Sequence, residues 1–162
     1  MGMRVRSIAA WILVCAIVTT AAAAFQQGNE RQVWRDLGAD EAMGGHTLAR
    51  HVGRTDAQLA DRLQREPQIS AASTYTDRET AERTVRAALA ASSRKVSDWE
   101  RRTGRRPNLV LHYTARGGPP LGRSLARGKT HVTPAFRAIV VLRWDDRVRR
   151  WFVLTSYPEA DR

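Results

Sequence analysis

The spacing of hydrophobic residues changes once along the 162-residue chain, from a helical period to a strand period. In the first half, one stripe steps by four and three positions, which predicts a single long helix that ends at Gly104. The stripe consists of Val85, Leu89, Ser92, Val96 and Trp99. Residues 137–158, "RAIVVLRWDDRVRRWFVLTSYP", instead alternate around a polar turn at residues 145–147, the pattern of a β-hairpin. Helices followed by antiparallel strands predict an α+β domain.

Capping residues divide the first half into shorter elements. Thr55 is followed three residues later by Gln58, a capping box that predicts a helix through about Glu66. Thr76 and Glu79 repeat this spacing and predict the start of the long helix. Between the two helices, "ISAASTYT" predicts a strand, and further along "NLVLHYT" predicts another. The intervening stretch "RGGPPLGRSLARGKT", residues 116–130, is rich in Gly and Pro and predicts a loop.

The N-terminal 24 residues have the features of a signal peptide. Arg4 and Arg6 precede an apolar run, and small residues at 22–24 offer a cleavage site after Ala24. A permanent membrane anchor is the alternative, because the run is just long enough to span a bilayer. Residues 25–43 are predicted to be a linker, with a short helical candidate at 31–37, and residues 44–160 are predicted to be the domain. The expected location is therefore secreted or periplasmic.

Composition adds a strong positive charge and a lack of structural cysteine. The chain has 27 Lys and Arg against 16 Asp and Glu, a formal net charge of +11. Such a balance favours a polyanionic partner such as nucleic acid, anionic lipid or lipopolysaccharide. Cys15 lies in the predicted signal peptide, so residues 25–162 contain no cysteine and must be stabilised by their core.

Two histidines stand close together in "GGHTLARHVGRTDAQLADRL", residues 44–63. His46 and His51 are five residues apart, so on one helix they diverge by about 140° and at most one is expected to face a shared cleft. The stretch has no HExxH pattern and no Cys, so no metal site is predicted. Gly53 suits the left-handed residue that ends a helix.

The last predicted strand carries two hydroxyl side chains on one face. Thr155 and Tyr157 are two residues apart in "WFVLTSYPE", so their side chains point the same way. Such a pair lines a polar cleft or lies at a solvated strand end, and the pattern does not separate these readings.

Three blocks together carry a family resemblance: "HTLARHVGRTDAQLADRL", "ISAASTYTDRETAERTV" and "VLTSYPE". In this order and spacing they resemble the bacterial RNase A-like domain, the toxic C-terminal part of contact-dependent growth inhibition proteins. The resemblance runs from about Gly44 to Glu159. It implies N-terminal helices packed on an antiparallel, curved β-sheet without disulfides. It also implies a metal-independent ribonuclease without a cofactor, which cleaves RNA by transphosphorylation to a 2′,3′-cyclic phosphate.

The resemblance further implies a catalytic set and partners. The set is His51, Arg62, Thr155 and Tyr157, with Arg54 and Arg65 as neighbouring alternatives for the arginine. The RNA backbone is expected to contact basic residues outside this set, namely Arg54, Arg123, Arg127 and Lys129. A toxin of this kind is expected to be a monomer, without stable membrane association after signal cleavage, and to have a cognate immunity protein. The alternative function is a catalytically inactive basic protein of the same fold that binds nucleic acid or the cell envelope.

Overall fold

The structure, a computed structural model, describes residues 35–160. The predicted signal peptide, Cys15 and the first part of the predicted linker lie outside the described residues. The helices are α1 (Leu37–Ala42), α2 (Thr47–His51), α3 (Asp56–Arg65), α4 (Arg78–Ala91) and α5 (Ser93–Glu100). The strands are β1 (Ala71–Tyr75), β2 (Leu109–Thr114), β3 (Gly122–Ala126), β4 (Thr133–Ala135), β5 (Arg137–Asp145) and β6 (Arg150–Glu159).

The strands form two antiparallel three-stranded sheets, which together with the helices confirm the α+β class. One sheet has the order β1-β3-β4 and the other β2-β5-β6. The predicted C-terminal hairpin is present as β5 and β6, which pair from Arg137 with Glu159 to Asp145 with Arg150. Residues 35–160 contain no cysteine, so the described fold contains no disulfide.

Strand β3 lies inside the stretch that the sequence assigned to a loop, and that assignment was wrong. β3 pairs along its whole length with β1, from Ala126 opposite Ala71 to Gly122 opposite Tyr75. A Cβ at Gly122 would lie 2.0 Å from the carbonyl oxygen of Thr74, so glycine here permits a close approach of the two strands. Gly122 therefore allows β3 to pair closely with β1, although the Gly- and Pro-rich composition of this stretch is typical of a turn or loop.

The predicted long helix is divided in two at Ser92. The amide of Ser92 donates to the carbonyls of both Ala88 (3.0 Å) and Leu89 (3.2 Å). The ψ angle of Ser92, 18°, departs from helical geometry before α5 begins. The start of α4 also differs from the prediction. Asp77, not Thr76, caps the helix by accepting from the amide of Thr80 at 2.7 Å. By contrast, the capping box of Thr55 and Gln58 at the start of α3 is confirmed, with both reciprocal bonds formed.

The structured region begins earlier than the sequence indicated. Residues 37–42, assigned to the linker, form α1. Of the helix predicted at 31–37, residues 31–34 lie outside the described residues and Leu37 is the first residue of α1. Leu37 is fully buried in the core, and the carboxylate of Asp40 accepts from the amide of Val153 at 3.0 Å. Arg35 donates to the same carboxylate at 2.8 Å. α1 therefore packs on β6 and belongs to the fold.

The core consists of two clusters of different size. The larger lies between α4 and the β2-β5-β6 sheet and includes Val85, Leu111, Val140 and Val153. The smaller lies beneath α3 and contains Leu59, Leu63, Ala72 and Leu125. Burial of each Val or Leu side chain among these contributes about 1.5–3 kcal/mol. In the part of the chain that the structure describes, no helix has the length and apolar character needed to span a membrane.

Candidate active site

The N-terminus of α2 is held against β6 on both sides of Thr155. The amide of His46 donates to the carbonyl of Leu154 at 3.0 Å, and the amide of Ser156 donates to the hydroxyl of Thr47 at 2.9 Å. A Cβ at Gly45 would lie 2.5 Å from the carbonyl oxygen of Val153. The glycine is therefore required for the chain to come this close to β6.

A β-bulge in β6 provides the acceptor for this contact. Val141 pairs with Thr155 while Leu142 pairs with Val153, so Leu154 is the extra residue between them. Its carbonyl accepts from His46. Beyond the bulge, Thr155 and Tyr157 both line the same cavity, as the two-residue spacing indicated.

This cavity has a volume of about 420 Å³ and brings the four predicted residues together. His51 comes from α2, Arg62 from α3, and Thr155 and Tyr157 from β6. The other polar side chains of the lining are His46, Gln68, Ser70, Ser73, Ser124 and Glu159. The elements that supply the site are thus far apart in sequence, and the fold alone makes them converge.

His51 is buried, with only 6% of its surface exposed, and its ring has a defined orientation. Nδ1 lies 3.2 Å from the carbonyl oxygen of Ser73. A carbonyl oxygen can only accept, so Nδ1 carries the hydrogen and donates. In the neutral ring Nε2 is then left with a free lone pair, which is the form required of a general base.

The charge of His51 is suppressed by its surroundings. Burial, followed by the positive charge of Arg62, lowers its pKa to about 3. The hydrogen bond to Ser73 raises the pKa but offsets only part of this shift. From sequence we expected an unperturbed value near 6.5. The shift means that His51 is neutral at pH 7, so the lone pair of Nε2 is not already occupied by a proton.

Arg62 keeps one nitrogen free in the cavity. Its Nε and Nη2 donate to the carboxylate of Glu66 at 3.2 and 3.5 Å. Nη1 is buried and has no hydrogen-bond partner among the described residues. Leaving a charged donor buried and unsatisfied is costly, so the site suits an anion that accepts from Nη1. The alternatives Arg54 and Arg65 do not line the cavity.

Thr155 and Tyr157 add two hydroxyl groups to the lining of the same cavity. The Oγ1 of Thr155 is buried without a partner in the described structure. The ring of Tyr157 lies 5.2 Å from that of His51, centroid to centroid. Burial and the negative charge of Glu159 raise the pKa of Tyr157, so its hydroxyl stays protonated and can donate. Arg62, Thr155 and Tyr157 thus line one cavity, and the first two each hold a buried polar atom without a partner in the described structure.

His46 also lines the cavity, and sequence reasoning missed it. We expected at most one of the two histidines to face a shared cleft, and this was wrong. His46 is the N-cap of α2 with φ −152°, so it lies outside the helix and the angle per helical residue does not apply to it. The preceding Gly44 and Gly45 were the available signal that the helix starts only afterwards.

The basic residues expected to contact RNA lie outside the cavity. Arg123 donates to the carboxylate of Asp56 at 2.6 Å and to the carbonyl of Arg54 at 2.8 Å. Arg54 in turn donates to the carbonyl of Leu48 at 3.4 Å. These contacts connect β3 to the start of α3. Because these contacts are all within the protein, RNA binding by Arg54 and Arg123 stays a prediction.

Arg127 holds the other end of α3. Its Nη2 donates to the carbonyls of Leu63 and Glu66, both at 2.8 Å, and its Nε donates to that of Ile69 at 3.0 Å. Cations at a helix C-terminus satisfy the last carbonyls and the helix dipole. Lys129, two residues on, is exposed. Arg127 therefore has a structural task that its sequence context did not indicate.

Within residues 35–160, no three His, Cys, Asp or Glu side chains are grouped so that they could hold a metal ion. The chemistry available in the cavity includes a neutral imidazole, a guanidinium donor and the hydroxyl groups of Thr155 and Tyr157. This combination suits proton transfer at a phosphate.

The fold and the cavity define a small α+β protein with a polar cleft that contains a buried histidine and an arginine with an unpaired nitrogen. Residues 45–158 match the profile of the family described as the bacterial CdiA-CT RNAse A domain, so the chain belongs to this family. A similar solved structure is the CdiA-CT/CdiI complex from Y. kristensenii 33638, with 29% sequence identity and a TM-score of 0.62. The alignment covers 71% of this chain and 99% of the other. A search of curated proteins found no match. The RNase A-like fold implied by the resemblance is confirmed.

Proposed function

We propose that this protein is a toxin ribonuclease that cleaves RNA by transphosphorylation, without a metal or cofactor. Family membership supports a toxin nuclease, and a ribonuclease in general. One observation carries the finer chemistry. A neutral imidazole base shares a single cavity with two unsatisfied donors, Arg62 Nη1 and Thr155 Oγ1.

The proposed reaction uses the nucleophile that RNA itself supplies. Nε2 of His51 accepts the proton of the ribose 2′-hydroxyl, and the 2′-oxygen forms a bond to the adjacent phosphorus. The bond from phosphorus to the 5′-oxygen breaks, giving a 2′,3′-cyclic phosphate and a 5′-hydroxyl once the leaving oxygen gains a proton. Because DNA has no 2′-hydroxyl, the same site is expected to leave DNA intact.

The donors would act on the phosphoryl oxygens. Negative charge builds up on these oxygens in the phosphorane-like transition state, and donors fixed in a partly dry cavity stabilise it strongly. Arg62 supplies a charged donor, while Thr155 and Tyr157 supply neutral ones. In other enzymes, removal of one such donor costs about 10²–10³-fold in kcat.

The test is cleavage of total RNA by the purified protein in EDTA, beside His51→Ala and His112→Ala. His112 is exposed and lies outside the cavity, so it is the matched control. We expect the wild type and His112→Ala to degrade RNA to cyclic-phosphate ends and His51→Ala to lose this activity. A folded wild type that binds RNA without cutting it would contradict the proposal and favour the inactive basic protein.

We also propose a cognate immunity protein as partner. The solved neighbour is a CdiA-CT bound to a CdiI, and a ribonuclease toxin would endanger the cell that makes it. Cytoplasmic expression of residues 25–162 is expected to arrest growth, and co-expression of a protein encoded next to it is expected to restore growth. Growth arrest that His51→Ala does not relieve would contradict a toxicity based on RNA cleavage.

Export is proposed from the sequence of residues 1–24, which lie outside the described structure. Arg4 and Arg6 before an apolar run, with small residues at 22–24, support a cleaved signal peptide. Mass spectrometry of the periplasmic fraction is expected to find a chain that begins at Phe25. An uncleaved chain that remains in the membrane fraction would instead support an anchor.

A further inference from the structure

His46 is the second imidazole of the cavity, and its side chain makes no hydrogen bond that caps α2. A residue at the N-cap usually accepts from the amide three residues on. Here that amide, Ala49 N, donates to Glu41 Oε1 from α1 at 2.8 Å. His46 makes no such capping bond with its side chain. Glu41 therefore frees the imidazole from the role that its position would give it.

The backbone of His46 is nevertheless fixed firmly. Its amide donates to the carbonyl of Leu154 at 3.0 Å, and its carbonyl accepts from the amide of Arg50 at 3.2 Å. These bonds place His46 next to Thr155 and on the rim of the cavity that holds His51. A free side chain on an anchored backbone, facing the candidate site, is the arrangement expected of a group that contacts substrate.

The surroundings of the two histidines separate their proton affinities. His51 is buried, and its pKa falls to about 3. His46 is half-buried, and burial followed by the charge of Arg50 lowers its pKa. Glu41 raises it and Arg62 lowers it again, and the net downward shift is smaller than that of His51. The charged and titratable groups around the pair are Glu41, Arg50, Arg62, Tyr157 and Glu159. Both pKa values are lowered, but that of His46 is lowered less, so His46 keeps its proton to a higher pH than His51 does. Of the two groups on this cavity wall, His46 is therefore the one better suited to act as the acid.

We propose that His46 is the general acid of the reaction, which donates its proton to the 5′-oxygen as His51 removes the proton from the 2′-hydroxyl. This inference rests on the proposed ribonuclease function. The proton balance is complete: one proton enters at His51 and one leaves from His46, while the 2′-oxygen to phosphorus bond forms and the bond to the 5′-oxygen breaks. A bound phosphate, being anionic, favours the protonated form of His46.

The test compares two substrates that differ only in the leaving group. One is a ribodinucleotide with the natural 5′-oxygen, and the other carries sulfur in its place, which leaves as a thiolate and needs no acid. We expect His46→Ala to lose about 10²-fold or more in kcat on the oxygen substrate. On the sulfur substrate it is expected to stay within a few fold of the wild type. His51→Ala is expected to fail on both, because each still needs the base.

Controls separate a catalytic role from a structural one. His131→Ala changes an exposed histidine outside the cavity and is expected to behave as wild type. His46→Asn keeps the backbone bonds and a polar side chain, so its loss on the oxygen substrate should match that of His46→Ala. In the wild type, kcat on the oxygen substrate is expected to fall at high pH because His46 loses the proton that it donates. The sulfur substrate needs no acid, so no such fall is expected with it.

Each other outcome overturns the inference. Equal loss on both substrates would assign His46 to binding or folding, and no loss on either would remove it from the site. If Tyr157→Phe lost activity on the oxygen substrate alone, while His46→Ala kept its activity on both substrates, the phenol of Tyr157 would be the acid. A wild type that cuts neither substrate would refute the ribonuclease function itself, whereas a wild type active on both leaves that function intact.

Discussion

The ring of Tyr157 lies against that of His51, with centroids 5.2 Å apart and planes inclined by 31°. The bond from Nδ1 of His51 to the Ser73 carbonyl fixes one edge of the imidazole. The buried ring is thus held from two strands, β6 and β1. Nε2 keeps one orientation toward the cavity, as a base that acts at a defined atom requires.

Tyr157→Phe is expected to lower kcat by about 10²-fold while leaving stability nearly unchanged. The substitution keeps the ring that packs on His51 and removes only the hydroxyl that would donate to the phosphate. Steady-state cleavage of a ribodinucleotide and urea denaturation measure the two quantities. Tyr113→Phe, at a half-buried tyrosine outside the cavity, is the matched control. A loss of stability as large as the loss of activity would contradict this separation.

Arg62→Gln is expected to raise the pKa of His51 and to reduce kcat by about 10²–10³-fold. The positive charge of Arg62 is one of the causes that lower this pKa, second to burial. Its removal therefore makes protonation of His51 easier at the same time as it removes the donor at Nη1. An NMR titration of the His51 ring measures the first effect, and cleavage rates measure the second. Arg65→Gln, one turn further on and outside the cavity, should change neither.

The buried neutral His51 is expected to make the fold acid-sensitive. In the unfolded chain it binds a proton below pH 6.5, whereas in the folded protein its pKa is about 3. Between these values the unfolded state holds more protons, so stability falls as pH decreases, by up to about 1.4 kcal/mol per pH unit. Urea denaturation from pH 7 to pH 4 measures the slope. His51→Gln should flatten it, and an unchanged slope in that variant would assign the acid sensitivity to other groups.

The sequence alone predicted the α+β class correctly. Each helix and strand buries one face, so the spacing of hydrophobic residues changes where helices give way to strands. It missed β3, since Gly122 serves close strand contact in a stretch whose composition favours loops. The convergence of His51 and Arg62 with Thr155 came from the family resemblance, not from spacing. The depressed pKa of His51 was out of reach because burial is a property of the folded chain. His46 was missed because helical geometry was applied to a residue that precedes the helix.

Gly45→Ala is expected to destabilise the protein by more than about 2 kcal/mol and to impair catalysis in the molecules that still fold. Its Cβ would lie 2.5 Å from the carbonyl oxygen of Val153 and 2.9 Å from that of Asp40, and neither backbone group can move freely. Relief of this collision shifts α2 away from β6 and His46 with it. Gly118→Ala is the control, since its φ of +82° gives strain without a collision and it lies far along the chain in a loop. It should cost only about 1 kcal/mol and leave kcat unchanged.

Arg127→Ala is expected to reduce stability by about 1 kcal/mol and to leave the salt dependence of cleavage unchanged. Its guanidinium donates to carbonyls at the end of α3 and to Ile69, so its loss exposes those acceptors at a helix terminus. Lys129→Ala removes an exposed positive charge two residues away and is the matched control for the loss of charge. If Arg127 instead served mainly to bind the RNA backbone, KM would rise and the dependence of kcat/KM on salt would weaken, with stability unaffected. Urea denaturation and cleavage rates at two salt concentrations distinguish the two roles.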